Sequence, residues 1–221
     1  MGSGVTDYGN DVVIHHRGFD NLMSAINFTT DYATDPDSVF VAGCSAGSVG
    51  SAIAVPFIID AYPDSSVTQL GDSLGTIFDT STDLSNLWGV PDFYTDSLLE
   101  FAPDLSDYTT ADYYIALGHA YPDQTFAQFN YQHDNVQQRF FAAGVDDPAS
   151  LIAASLQTSL TTISDSISNF RYFVADDSKH CILPTADFYR VTSRDVSVRD
   201  WITSVALNEP IENVSPDSWG E

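Results

Sequence analysis

Residues 38–47 read Ser-Val-Phe-Val-Ala-Gly-Cys-Ser-Ala-Gly, and this stretch decides the fold. The apolar run 39–42 is typical of a short buried strand, and it leads directly into Gly43-x-Ser45-x-Gly47. A strand that turns sharply into a helix at this motif raises one serine hydroxyl above the end of a sheet. The two glycines let neighbouring backbone crowd the turn. The stretch therefore predicts a nucleophile elbow with Ser45 at its tip.

Strand and helix patterns alternate around the elbow. Strands are predicted at 12–14, 38–44, 67–70 and 170–175, which favours an α/β fold: a parallel sheet sandwiched by helices, of the α/β-hydrolase type. One domain is predicted over residues 1–221, with a helical insertion or lid at about 79–165, where no strong strand pattern occurs. Helices are predicted at Phe19–Tyr32, Ala46–Ala61, Phe93–Phe101, Thr109–Gly118, Phe126–Ala143, Ala149–Leu160 and Asp195–Leu207.

The charge balance excludes several classes of partner. The 221 residues carry 31 acids against seven Lys and Arg, with Lys179 the single lysine, for a net charge of -24. Such a surface repels nucleic acid and anionic lipid, and no apolar run has the length of a membrane span. The acids are dispersed rather than gathered in a tail, which suits a salty medium where self-repulsion is screened. We therefore expect a halophilic or marine source.

A nucleophilic serine needs a base, and the base needs a carboxylate behind it. His180 follows the last predicted sheet strand, where an α/β-hydrolase carries its base. Two carboxylates are candidates for the acid: Asp72, at the end of the strand after the elbow, and Asp134, which reads as a solvated helix residue. The backbone N–H of Ala46 is the expected oxyanion donor. The other histidines fit less well, because they precede the elbow or lie in the predicted insertion (His15, His16, His119 and His133).

Two cysteines flank the proposed nucleophile and base. Cys44 directly precedes Ser45, and Cys181 directly follows His180. Because Ser45 and His180 must approach each other closely, their chain neighbours must also be close, and a Cys44–Cys181 disulfide is geometrically reasonable. It would indicate an oxidising compartment. The arrangement resembles the Cys-Ser, Asp, His-Cys motif of feruloyl esterases and tannases.

The ordered motifs resemble the pectin acetylesterase / Notum-like carboxylesterase family. Residues 43–47, Gly-Cys-Ser-Ala-Gly, are similar to the elbow of that family. Four further segments resemble its motifs in the same order: Arg17-Gly18, Leu70-Gly71-Asp72-Ser73, Asp134-Asn135-Val136-Gln137 and Lys179-His180-Cys181. The Asp-x-x-Gln resemblance favours Asp134 over Asp72 as the acid. Ser48 stands where the plant enzymes have a second glycine.

The resemblance implies a secreted serine carboxylesterase that deacetylates a polysaccharide or cleaves another short-chain ester. It also implies that the first strands and the glycine-rich oxyanion loop of the family belong before Arg17-Gly18, so the sequence reads as lacking its N-terminal strands. No cofactor or catalytic metal is expected, since adjacent histidines on a strand point to opposite faces and no zinc-ligand spacing occurs. Two alternatives are a catalytically impaired binding protein with this fold, and an amidase or peptidase with the same triad.

Overall fold

A parallel sheet of four strands forms the centre of the molecule. The computed structural model describes residues 2–75, 94–102, 109–217 and Trp219. The strands are β1 (Ser3–Asp7), β2 (Val13–Arg17), β3 (Ser38–Cys44), β4 (Ser66–Asp72), β5 (Thr125–Tyr131), β6 (Phe170–Ala175), β7 (Thr192–Ser193) and β8 (Val196–Ser197). The central sheet has the order β3-β4-β5-β6, while β1-β2 and β7-β8 are antiparallel pairs.

Helices cover both faces of this sheet. They are α1 (Gly18–Tyr32), α2 (Ala46–Ala61), α3 (Asp96–Phe101), α4 (Thr110–Ala120), α5 (Asn135–Phe141), α6 (Pro148–Ser166) and α7 (Val198–Ala206), with a 3-10 turn at Ala186–Tyr189. Apolar side chains of α2, α4 and α6 form one core with the sheet, and α7 packs Trp201 against the opposite face. Within the described residues, no helix is both long and apolar enough to span a membrane.

The elbow region follows the sequence prediction closely. The predicted strand is β3 (Ser38–Cys44), and the predicted helix Ala46–Ala61 has the same bounds in α2. Pro56 lies within α2. The prediction of an α/β fold with a parallel sheet between helices is confirmed.

The helix predicted over Phe126–Ala143 is wrong in its first half. Residues Thr125–Tyr131 form β5, which pairs with β4 on one side and β6 on the other, so the predicted insertion does contain a strand. Every side chain from 126 to 131 is buried. The polar residues Gln128 and Asn130 are buried within β5, so its sequence does not alternate between apolar inward and polar outward positions. A short strand buried on both faces cannot be distinguished from a buried helix by periodicity alone.

Much of the remaining predicted insertion is helical where it is described. The segments predicted at Thr109–Gly118 and Ala149–Leu160 correspond to α4 and α6, and α3 occupies most of the segment predicted at 93–101. Residues 76–93 and 103–108, which include the predicted start of the insertion at 79, lie outside the described residues.

Candidate active site

Four loops at one edge of the sheet carry the candidate residues. Ser45 follows β3, Asp72 is the last residue of β4, Asp134 lies three residues after β5, and His180 lies in the loop after β6. Because the four strands are parallel, their carboxyl ends meet at the same edge. Ligands of open α/β sheets bind outside these ends. The fold therefore brings all four predicted side chains to the expected place, although Asp134 arrives there on a strand that was predicted to be a helix.

Ser45 occupies a strained backbone conformation at the elbow. Its φ of 57° and ψ of -123° lie in a sparsely populated region for a residue with a side chain. Its backbone N–H donates to the carbonyl of Asp72 at 2.9 Å, and its own carbonyl accepts from the N–H of Ser48 at 2.9 Å. Helix α2 begins at Ala46, whose N–H belongs to the helix start where backbone donors have no intrahelical acceptor. That position suits the predicted oxyanion donor.

The two glycines of the elbow have different environments. A Cβ on Gly43 would overlap the carbonyl group of Gly47, so the prediction of crowded backbone holds there. A Cβ on Gly47 would meet nothing within 4 Å, and the same prediction is wrong at this position. The crowding is one-sided because β3 passes under the first turn of α2, whereas Gly47 faces open space.

Asp134 and His180 are directly hydrogen-bonded. His180 Nδ1 lies 2.6 Å from Asp134 Oδ2, and the Asp134 side chain is fully buried. Asp134 is also the N-cap of α5, where its Oδ1 accepts the backbone N–H groups of Val136 at 2.9 Å and Gln137 at 3.0 Å. Because a carboxylate only accepts, Nδ1 is the donor in the pair. The other ring nitrogen, Nε2, then carries a free lone pair, as a general base requires.

His180 and Ser45 line one cavity. His180 Nε2 is buried and has no hydrogen-bond partner in the described part of the chain, so it is not hydrogen-bonded to Ser45 Oγ. The cavity has a volume of about 270 Å³. Its apolar wall was not foreseen from the sequence; it consists of Val49, Leu74, Val136, Phe140 and Phe141.

Asp72 has a different set of partners from Asp134. It is fully buried, and its carboxylate accepts the backbone N–H groups of Ile182 (3.1 Å to Oδ1 and 2.9 Å to Oδ2) and Leu183 (2.9 Å). Ser73 Oγ donates to it at 3.2 Å. Burial raises the pKa of Asp72, while these hydrogen bonds and the nearby His180 act in the opposite direction. Between the two candidate acids, only Asp134 is hydrogen-bonded to the His180 ring.

The predicted disulfide is present. Cys44 and Cys181 are bonded, with their Cα atoms 5.7 Å apart. The bond joins the last residue of β3 to the residue after His180. In the described part of the chain, the three ligand-type residues close enough to share an ion are Cys44, His180 and Cys181. The sulfur atoms of Cys44 and Cys181 are bonded to each other. Cysteine binds metals as a thiolate, and a disulfide has no thiolate.

The other histidines lie elsewhere. His16 Nε2 is 3.0 Å from Thr6 Oγ1, beside the β1–β2 hairpin. The ring of His119 stacks on Phe101. His133 Nε2 is 4.0 Å from Asp176 Oδ1. None of these three residues lines the cavity shared by Ser45 and His180.

No protein-family model matches the sequence, and no curated protein matches it. Solved structures do match. The chain superposes on the Wnt deacylase Notum from Drosophila with a TM-score of 0.69 at 14% identity, covering 99% of this chain and 66% of that one. A second crystal form of the same protein gives a TM-score of 0.59 at 13% identity, covering 84% and 58% of the two chains. The fold is Notum-like.

At this level of identity the Notum likeness establishes the architecture. It supports the resemblance seen in the sequence as far as the fold is concerned, because the matched region extends over 99% of the chain rather than the elbow alone. The chain spans 66% and 58% of the lengths of the two Notum chains.

Sequence reasoning missed the apolar wall because its residues come from separate elements. Val49 is on α2, Leu74 follows β4, and Phe140 and Phe141 end α5. Phe140 and Phe141 are exposed, with relative accessibilities of 72% and 53%. Their adjacency in the sequence was a usable signal, because two neighbouring aromatic residues cannot both face the core from one helix. The buried tyrosines of α4, Tyr113 and Tyr114, belong to the hydrophobic core.

Proposed function

We propose that this chain is a serine carboxylic-ester hydrolase that works through an acyl-enzyme on Ser45. The observation that carries the proposal is the 2.6 Å bond between Asp134 and His180, combined with the cavity that both Ser45 and His180 line. Nucleophile, base and acid come from loops after three strands of one parallel sheet. This is the arrangement of an α/β-hydrolase triad.

The first half-reaction acylates the serine. Ser45 Oγ attacks the ester carbonyl while His180 Nε2 takes its proton, and Asp134 holds the imidazole in the required tautomer. The oxyanion of the tetrahedral intermediate accepts a hydrogen bond from the N–H of Ala46. His180 then gives the proton to the departing alkoxide. In the second half-reaction, water repeats the attack with the same base, releasing the carboxylic acid and restoring Ser45.

The cavity has an apolar wall that an acyl group can contact. Its volume of about 270 Å³ is just below the range of about 300–1,000 Å³ usual for small-molecule sites. We propose an acylated polysaccharide or another short-chain ester as the substrate, with deacetylation of the pectin acetylesterase type as the specific case. Deacylation is also the chemistry named for Notum, the structural neighbour.

An extracellular location is part of the proposal. The Cys44–Cys181 disulfide supports it, because structural disulfides persist in oxidising compartments.

The test is covalent labelling with a fluorophosphonate probe, together with turnover of p-nitrophenyl acetate, in buffer supplemented with salt. We expect labelling at Ser45, its loss in Ser45→Ala, and normal labelling in the control Ser164→Ala, a residue of α6 that does not line the cavity. Asp134→Asn should lower turnover by about 10⁴-fold, because the imidazole takes the wrong tautomer.

Two results would contradict the proposal. If wild-type protein neither labels nor turns over the ester, a binding protein with this fold is the better description. If a p-nitroanilide is cleaved in preference to the matching ester, the enzyme is an amidase or peptidase.

A further inference from the structure

The buried carboxylate of Asp72 is attached to the loop that carries His180. This loop, residues 180–183, is called the base loop below. Three consecutive backbone N–H groups of the base loop point at the end of β4: Cys181 donates to Ser73 Oγ at 2.9 Å, and Ile182 and Leu183 donate to the Asp72 carboxylate at 2.9 Å. The Ser73 hydroxyl in turn donates a hydrogen bond to Asp72 Oδ1. Two of these three N–H groups therefore bond directly to one carboxylate, and the third bonds to a hydroxyl that itself donates to that carboxylate.

The backbone of the same residue holds the nucleophile. The carbonyl of Asp72 accepts the N–H of Ser45 at 2.9 Å, and the N–H of Ser73 donates to the carbonyl of Phe129 on β5 at 2.7 Å. Asp72 pairs with Cys44 in the register of β3 and β4. The end of β4 is therefore hydrogen-bonded both to the elbow at Ser45 and to the base loop.

Burying a carboxylate is costly unless hydrogen bonds compensate it. At Asp72 the compensation comes from backbone N–H groups and a hydroxyl, with no lysine or arginine among its hydrogen-bond partners. The base loop needs such an anchor, since Cys181 has a positive φ of 61°, which is unfavourable for a residue with a side chain. A carboxylate offers acceptors on both oxygens, which an amide of the same shape cannot do.

We propose that Asp72 is a positioning residue that holds His180 in register with Ser45, while Asp134 is the acid of the triad. The inference rests on the proposed esterase function and assigns Asp72 a role within it. Asp72 acts through the base loop and the elbow, and it does not touch the reacting atoms. It works alongside the Cys44–Cys181 disulfide, which joins the same two segments covalently.

The central variant is Asp72→Asn. It keeps the shape of the side chain but replaces one acceptor oxygen by an NH₂ group, so a hydrogen bond from Ser73, Ile182 or Leu183 is lost and the base loop shifts. We expect kcat for p-nitrophenyl acetate to fall by about 10²-fold, the effect of a misplacement near 1 Å, with KM little changed. Ser73→Ala removes the acceptor of one N–H only and should cause a smaller loss. Asp60→Asn, a carboxylate on α2 away from the site, is the matched control and should keep wild-type kcat.

A spectroscopic readout separates positioning from a general loss of folding. The proton between His180 Nδ1 and Asp134 Oδ2 should give a downfield NMR resonance in the wild type, because the two atoms are 2.6 Å apart. We expect this resonance to shift or broaden in Asp72→Asn, to disappear in Asp134→Asn and to be unchanged in Asp60→Asn. Near-ultraviolet circular dichroism checks that each variant is folded.

Two results would overturn the inference: an Asp72→Asn variant with wild-type kcat, or one whose activity falls only with its folded fraction while the resonance stays in place. A wild-type protein without turnover would instead contradict the proposed function. The NMR comparison does not require activity, so it would still report whether Asp72 positions His180.

Discussion

Three of the eight described non-glycine residues with a positive φ shape the candidate site. Ser45, Ser73 and Cys181 have φ values of 57°, 57° and 61°. Each such residue costs of the order of 1–3 kcal/mol, and it persists only where the surroundings determine its conformation. At the site the surroundings are hydrogen bonds: Ser45 and Ser73 are bonded directly to Asp72, and the N–H of Cys181 donates to Ser73 Oγ. These three strained residues lie where the proposed chemistry needs a fixed geometry, and Asp72 links them either directly or through Ser73.

The raised pKa of Asp72 predicts a pH dependence of stability. Burial raises the pKa above the usual 3.8, so the native state binds this proton more tightly than the unfolded chain does. The stabilising contribution is then fully present below about pH 3.8 and is lost as pH rises through the native pKa. We expect the free energy of unfolding of the wild type, minus that of Asp72→Asn, to decrease from pH 3.5 to pH 7 in urea titrations.

Asp147 is a control whose pKa shift has the opposite sign to that of Asp72. It caps α6 through the N–H of Ser150, and its hydrogen bonds to Ser150 lower its pKa. Its contribution is present above the unfolded pKa and is lost as pH falls, so the corresponding difference for Asp147→Asn should increase with pH over the same range. A difference for Asp72 that stays constant, or that rises with pH, would contradict its assignment as a carboxylate destabilised by burial.

At the scale of elements, the turn from β3 to α2 depends on one glycine. A methyl group at Gly43 would overlap the carbonyl of Gly47 and lie 2.9 Å from Ser48 N, both in the backbone of the first turn of α2. Backbone in a packed helix cannot move aside easily, so Gly43→Ala should destabilise the protein by more than about 3 kcal/mol.

Gly47→Ala is the matched control, since it adds the same methyl group in open space on a helix. It should be neutral, or stabilising by up to about 1 kcal/mol, because alanine is the better helix former. Urea denaturation followed by circular dichroism measures both changes. Equal changes in the free energy of unfolding for the two substitutions would contradict the prediction that backbone contact excludes a side chain at Gly43.

The elbow was predictable from sequence because its signals are local. Gly43, Ser45 and the small residues after them specify a strand, a turn and a helix within one short stretch. Strand β5 was not predictable in this way, since a strand buried between two others depends on partners far away in the chain. Asp134 shows the same limit. In so acidic a chain, Asp134 is predicted to be a solvated helix residue. Only the family resemblance indicates it as the triad acid, and the structure shows its 2.6 Å bond with His180.

The whole molecule is dominated by its net charge of -24. Repulsion between dispersed carboxylates opposes the compact state, and salt weakens that repulsion because the Debye length falls from about 10 Å at 0.1 M to about 3 Å at 1 M. We expect the melting temperature to rise by several degrees between 0.1 M and 2 M NaCl, as measured by differential scanning calorimetry.

A charge-reduced variant tests the cause of that rise. Four exposed acids, Asp31, Asp35, Asp64 and Asp123, can be replaced together by asparagine. If repulsion is responsible, the variant should melt higher than the wild type at low salt and respond less to added NaCl. A melting temperature that is independent of salt in the wild type would exclude the halophilic interpretation.

The disulfide also gives the chain a closed covalent loop. Cys44 and Cys181 are 137 positions apart in sequence, so the backbone between them and the bond itself form a ring that contains Ser45 and His180. A single backbone cut anywhere in that ring opens it without dividing the molecule, and the serine and the histidine remain on one covalent species in a fixed one-to-one ratio. The covalent connectivity of the chain, as well as its fold, therefore keeps Ser45 and His180 in the same molecule.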